Sequence, residues 1–236
     1  MNKIRIVSAT RANADEFRQS SKLGLSIPRL QFDPRIVLDV AYCNSSGLPT
    51  VYNRAIQSSK PGEALLFVHD DVFIDDFNLF VRLEEALRAF DVVGVAGNID
   101  PDPRHVNWLL LRDSQNKLRA HEQRVLSGVV GHFETNRLNI CGYGLTPKPC
   151  VLLDGCLLAA DGHLLRERQV QFDERFKFHF YDLDFCWTAI SNDLRVGTWP
   201  IAVTHQSAGR FDSPDWEHAL MLYRQKWMDA PTPNNC

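Results

Sequence analysis

Hydrophobic and polar positions follow two rhythms over the first hundred residues. IRIVSA (4–9) is a compact apolar run, and the polar stretch from there to Leu23 has helix-like spacing. RIVLDVAY (35–42) is a second apolar run. PTVYNRAIQSS (49–59) reads as a helix with Pro49 in its first turn, and Pro61-Gly62 ends it. ALLFVHD (64–70) is a third strand. Over 76–90, Phe77, Phe80, Leu83, Leu87 and Phe90 recur at helical spacing behind Asp75, a candidate N-cap. VVGVAG (92–97) is a fourth strand. Short strands alternating with amphipathic helices predict a parallel sheet covered on both faces.

The rhythm breaks over residues 100–150, where prolines, glycines and scattered aromatics predict an excursion from the sheet with short strands of its own. Trp108 lies there and reads as a core aromatic, with a sugar-stacking platform as the other reading. Regular patterning returns with CVLLDGCLLAA (150–160). A helix is predicted from about Asp182, where Leu183, Trp187 and Ile190 share one side. RVGTWPIAVTH (195–205) is a late strand interrupted by Pro200. Ser213-Pro214-Asp215 opens a last helix, with a capping serine, a first-turn proline and an acid against the dipole.

Composition narrows the function classes. The chain has 236 residues, 44% hydrophobic and 23% charged, a globular balance with enough length for a large core. A net charge of −3 and the lack of a basic aromatic stripe argue against nucleic-acid binding. No apolar run approaches the roughly 20 residues of a membrane span. The start, MNKIRIVSAT, reads as a first strand rather than a signal peptide. None of the six cysteines forms a CxxC pair, so they read as small core residues in a reduced compartment. A cytoplasmic location is the resulting expectation.

The chemistry concentrates at a few acids and imidazoles. In LLFVHDDVFI (65–74) a buried-strand pattern runs into His69, Asp70 and Asp71. In open α/β sheets ligands bind beyond the carboxyl ends of the strands, where these residues fall. A carboxylate together with phosphate oxygens is how Mg²⁺ is often held, and Mn²⁺ also tolerates imidazole. Capping of the next helix is the competing reading. Asp182 and Asp184 stand at a helix start that stabilises negative charge, where one could act as a general base or merely as a cap. His205 ends an apolar strand and becomes a ligand only if the fold brings it to Asp71. Asp154 sits beside Gly155, which permits close approach by a ligand, or it satisfies a nearby backbone group.

Taken together, NSSGLPTVYNRAIQSSKPGEALLFVHDDVFI (44–74) and FDERFKFHFYDLDFCWTAISNDLRVGTWPIAVTHQSAG (172–209) resemble the GT-A glycosyltransferases of family 2. The HDDV form, the DG strand and the YDxDFC helix most resemble the branch related to the streptomycin-biosynthesis StrF protein. The resemblance covers about residues 3–98 and 150–210. It implies an α/β GT-A fold: a Rossmann-like, mostly parallel central sheet flanked by helices, with an inserted irregular segment. One domain would span 1–236, with a nucleotide-binding half (1–99), an insertion (100–149), an acceptor and catalytic half (150–212) and a C-terminal helix and tail (213–236).

Carried over by position, Asp71 matches the last Asp of the DxD motif and His205 the metal-binding histidine. The implied cofactor is Mn²⁺ or Mg²⁺. His69 stands where the family has the first Asp, which contacts the donor, and Asp70 shares that role. Ser8, Thr10, Asp39 and Asn53 match the nucleoside pocket. Asp182 matches the catalytic base of the ED motif, although Tyr181 precedes it instead of an acid. Asp154 would face sugar or acceptor, and Asp184 would be structural or face the acceptor. The implied partners are a nucleotide-sugar, UDP-linked by family weight, and a glycan or lipid-linked acceptor. Membrane association stays open with no anchor visible. The implied reaction is inverting transfer of a hexosyl group. A decayed nucleotide-sugar or carbohydrate-binding module and a nucleotide-sugar hydrolase are the alternatives.

Overall fold

A computed structural model describes residues 1–100, 102, 106–113, 115, 117–134, 137–206, 211 and 213–228. The strands are β1 (Lys3–Ala9), β2 (Ile36–Ala41), β3 (Glu63–Val68), β4 (Val72–Ile74), β5 (Val92–Gly94), β6 (Ala96–Asn98), β7 (Leu110–Arg112), β8 (Leu118–Ala120), β9 (Leu126–Glu134), β10 (Arg137–Gly144), β11 (Lys148–Pro149), β12 (Leu152–Leu153), β13 (Leu157–Asp161), β14 (Val196–Thr198) and β15 (Val203–His205). The α-helices are α1 (Ala14–Ser20), α2 (Lys22–Ser26), α3 (Leu48–Ser58), α4 (Leu79–Ala89), α5 (Gly162–Glu167), α6 (Tyr181–Ser191) and α7 (Pro214–Trp227).

The main sheet has seven strands in the order β11-β14-β5-β13-β3-β1-β2. β1 lies parallel to both β2 and β3, and β14 lies parallel to β5. Every residue of β3 is buried, which is why that segment reads as an unbroken apolar run. The sheet is parallel-rich rather than all-parallel, because β13 is antiparallel to both of its neighbours, β3 and β5. α3 packs on β1 and β3, α4 on β5 and β13, and α6 on β12 and β14.

A second sheet, β12-β6-β9-β15-β4 with β10 added beside β9, changes the sequence-based picture. The run 92–97 is two strands, β5 in the main sheet and β6 in the second. The runs 150–160 and 195–205 divide the same way, into β12 and β13 and into β14 and β15. Four of the crossings between the sheets fall at 69–71, at Val95, at 154–156 and at 199–202. Apolar patterning resumes after each crossover because both sheets face one core, so periodicity does not reveal the switch. Within 100–150, β7 and β8 form a separate two-stranded pair, whereas the nine-residue β9 is built into the second sheet between β6 and β15. Trp108 is buried, edge-on to Tyr143 with ring centroids 4.8 Å apart.

Two helix starts compare differently with expectation. Ser213 caps α7 by accepting from the Trp216 N–H at 3.2 Å. Asp75 does not cap α4, which begins three residues later than expected behind Asn78. The backbone N–H groups of Asp75 and Asp76 both bind the Ala202 carbonyl, and the Asp75 carboxylate accepts from the Thr204 hydroxyl at 2.7 Å. Those bonds hold Asp75 against β15 instead.

Candidate active site

The four crossovers lie along one edge of the molecule, and the predicted chemistry gathers there. β15 pairs antiparallel with β4, so that His205 stands opposite Val72. The Gln206 N–H then donates to the Asp71 carbonyl at 3.1 Å. This register, invisible in sequence, sets the His205 ring beside the Asp71 side chain. The His69 N–H donates to the Cys156 carbonyl at 3.1 Å, which ties the first crossover to the third.

His69, Asp71 and His205 form a cluster whose ligand atoms lie within 4.8 Å of one another. His205 Nε2 is 3.3 Å from Asp71 Oδ1, and His69 Nδ1 is 4.0 Å from the same oxygen. Asp71 Oδ1 and His205 Nε2 are both buried, and neither has a hydrogen-bond partner of acceptable geometry. The two atoms face each other as an ion pair 3.3 Å apart with no well-aligned hydrogen bond, and a divalent cation between them would satisfy both. The residues present therefore fit a cation: two imidazoles and one carboxylate, a donor set for a transition metal.

Electrostatics agree with that placement. Burial opposes ionisation of Asp71, but the imidazoles of His205 and His69 hold its carboxyl below the usual range. Burial also opposes protonation of His205, yet Asp71 and Asp154 hold its pKa above the ordinary value. His69 is pushed down, first by burial.

The next layer is built from the DG segment and the start of α6. Asp154 Oδ1 accepts from the Cys156 N–H at 2.8 Å, and its charge is felt by His69, His205 and Asp182. Asp182 Oδ2 accepts from the Gly155 N–H at 2.9 Å. The Tyr181 hydroxyl donates to the Gly155 carbonyl at 2.7 Å and lies 2.7 Å from His69 Nε2. Burial and the nearby Asp154 charge raise the pKa of Asp182 to about 7. Phe180, which precedes this pair, is in the left-handed region at φ 64°, packed on Trp216 and Tyr223 of α7. That aromatic clamp holds a backbone conformation a phenylalanine otherwise avoids, and so fixes the entry of Tyr181 and Asp182 into the site.

Not every expected residue joins the group. Ser8 and Thr10 end β1 on the same edge; Ser8 is buried with its hydroxyl unpartnered, and Thr10 Oγ1 accepts from the Ala12 N–H. Asp70 is half-buried beside the cluster, and its carbonyl accepts from the Leu23 N–H. Asn53 is spent internally: its amide accepts from the Phe172 N–H and donates to the Phe172 carbonyl, pinning the FDE turn. Asp39 pairs with Arg5 at 3.4 Å and lines a groove with Ser58 and Glu63. Asp184 is fully buried and held by Lys226 at 2.7 Å and Trp227 Nε1 at 2.9 Å, because its position on α6 faces α7.

Three neighbours escaped the sequence reading. Phe178 stacks on His69 with centroids 5.8 Å apart while half its surface is exposed. His132 lies beside His205 through the β9–β15 register, and Tyr143 lies 3.2 Å from His132 Nε2. The alternating aromatics of FKFHF hint at Phe178; only strand pairing places the other two.

Fold and site together define the class of architecture: this is the GT-A glycosyltransferase fold. Among solved structures, S. aureus TarS 1–349 superposes with a TM-score of 0.53 at 15% identity, covering 98% of this chain and 67% of that one. GalNAc-T7, crystallised with UDP, GalNAc and Mn²⁺, gives 0.55 at 10% identity, covering 97% of this chain and 48% of that one. No protein-family model and no curated protein matches the chain.

Proposed function

We propose that this chain is a metal-dependent, inverting glycosyltransferase, of family 2 and its StrF-related branch, which transfers a hexosyl group from a nucleotide-sugar, UDP-linked, to a hydroxyl of a glycan or lipid-linked acceptor. The observation that carries the reading is the convergence of Asp71 and His205, two buried orphan ligand atoms, at the strand-end edge of a GT-A fold. GalNAc-T7, of like fold, binds UDP and Mn²⁺, which supports the same ligand classes here.

Asp71, His205 and His69 would hold the cation, with Mn²⁺ favoured by the imidazoles. When bound, the cation neutralises the charge that develops on the departing diphosphate. Ser8 and Thr10, at the end of β1, would lie along the nucleoside, and Asp70 along the donor. Asp154 would face the sugar. Asp182 takes the proton from the acceptor hydroxyl as the acceptor oxygen bonds to the anomeric carbon and the bond to the diphosphate breaks. Attack from the opposite face inverts the configuration. A carboxylate poised near 7 is ionised often enough to accept that proton and basic enough to hold it.

A thermal-shift screen of UDP, CDP and GDP with and without Mn²⁺ tests the reading. A ligand that binds only the folded state at about 100 times its Kd adds ~2.7 kcal/mol of stability. UDP with Mn²⁺ is expected to raise the melting temperature by several degrees, and either alone by less. No response to any of the three nucleotides with Mn²⁺ would overturn it.

A further inference from the structure

The two positions at which the chain departs from the motifs it resembles, His69 and Tyr181, touch each other at 2.7 Å across 112 residues of sequence. The proton arithmetic of that contact is determinate. A carbonyl has no proton to give, so the Tyr181 hydroxyl donates its only proton to the Gly155 carbonyl. Toward His69 it can then only accept. His69 Nε2 therefore carries the hydrogen, and in neutral imidazole the lone pair is left on Nδ1. Nδ1 is the atom that faces Asp71 Oδ1, 4.0 Å away, within the cluster completed by His205.

The contact is built rather than incidental. A Cβ on Gly155 would lie 2.4 Å from the Tyr181 oxygen and 2.8 Å from Asp182 Cβ, so only glycine admits the tyrosine this close. Tyr181 is fixed in turn by the strained Phe180 before it. His69 is held by its own N–H to the Cys156 carbonyl and by the Phe178 ring.

Resting on the metal-site reading above, we infer that Tyr181 is a positioning residue that locks His69 into the tautomer presenting Nδ1 as a third ligand, so that the site selects Mn²⁺ or Co²⁺ over Mg²⁺. Magnesium prefers oxygen donors and water, whereas two imidazoles and a carboxylate suit transition metals. A hydrogen-bond partner that orients a ligating histidine typically contributes 10- to 100-fold in metal affinity.

The test is titration of the metals alone, without nucleotide, by calorimetry for Mn²⁺ and Mg²⁺ and by visible absorption for Co²⁺. Wild type should bind Mn²⁺ at least 10-fold tighter than Mg²⁺. Tyr181→Phe, which removes one oxygen and keeps the ring, should weaken Mn²⁺ and Co²⁺ by 10-fold or more and alter the Co²⁺ spectrum. Mg²⁺ should change little. In a His69→Gln background the same Tyr181→Phe change should cost nothing further. His69→Asp should narrow the Mn²⁺/Mg²⁺ ratio by at least 10-fold. An unchanged Mn²⁺ affinity and Co²⁺ spectrum in Tyr181→Phe, or additive losses in the double variant, would overturn the role of Tyr181. Wild type that does not bind Mn²⁺, or Asp71→Ala that binds it as well as wild type, would instead overturn the metal site itself. Melting curves of each variant show that losses are not unfolding.

Discussion

Asp182 carries two consequences at the scale of a single residue. As the proposed base it gives transfer a dependence on pH that rises through about 7, the pKa its burial and Asp154 impose. Asp182→Asn should reduce transfer at least 10³-fold, while Mn²⁺-dependent UDP binding changes less than threefold, because the amide can still accept from the Gly155 N–H. Full transfer by Asp182→Asn in a coupled assay for released UDP would remove it from the chemistry. The second consequence concerns stability. The folded pKa lies above the unfolded value of about 4, so the folded state keeps a proton that the unfolded chain has released. Stability is therefore lost as pH rises, down to a plateau above about 7. Each unit is worth ~1.4 kcal/mol, so between pH 5 and 8 the cost grows by up to ~3 kcal/mol. Asp182→Asn removes it: with chelator present, the variant should melt higher than wild type by a margin that widens from pH 5 to 8. Asp71 has the opposite sign, since its carboxyl is held low by two imidazoles and stabilises the fold only while ionised.

At the scale of elements, α7 decides where α6 sits. Trp187 Nε1 donates to the Tyr223 hydroxyl at 2.7 Å, and Lys226 bridges Asp184 and Asp173 at 2.7 and 3.0 Å. Burial keeps the Asp184 carboxyl above the ordinary range even against Lys226. Replacing Lys226 by Met should cost ~3–5 kcal/mol at pH 7.5 by leaving that charge unpaired, and less at pH 5, because falling pH favours the neutral carboxyl. An equal loss at both pH values, read by urea unfolding, would reduce Lys226 to its packing. The two readings of Asp184, structural or acceptor-facing, illustrate what sequence cannot supply: helical spacing places Asp182 and Asp184 on different faces, but not which face meets α7. The start of α7 was legible because Ser213-Pro214-Asp215 acts locally. The start of α4 was not, because the Ala202 carbonyl and Thr204, 126 and more residues away, capture Asp75 and Asp76. Gly128 is another element-scale device: at φ 114°, with the Val95 carbonyl 2.1 Å from where a Cβ would lie, it lets β9 pair closely with β6 at Ala96. Gly128→Ala should destabilise by more than ~2 kcal/mol in the same assay.

For the whole molecule, the alternation of periods revealed the main sheet and its helices, and His69–Asp71 follow directly on the end of β3. The second sheet stayed hidden because four of its strands, β4, β6, β12 and β15, are only two or three residues long and follow closely on strands of the first. Yet that second sheet makes the site. It brings 69–71, 154–156 and 203–206 to one edge through β4–β15 pairing and the His69 to Cys156 bond. Among the described residues no helix is long and apolar enough to cross a membrane. The arrangement predicts a particular pattern of hydrogen exchange. A cation held between Asp71, His69 and His205 ties the 69–71 crossover to the end of β15, and the His69 to Cys156 bond extends that tie to 154–156, so the local opening of these segments should become rarer together. Mn²⁺ with UDP should slow exchange at the amides of His69, Val72, Gly155, Cys156 and Gln206 by 10-fold or more, while α4, packed on β5 and β13, keeps its rates. Slowing confined to the 69–72 segment would mean that the cation sits on the DxD-like turn alone. In that case His205 would not be a ligand and the convergence of the crossovers would have another cause.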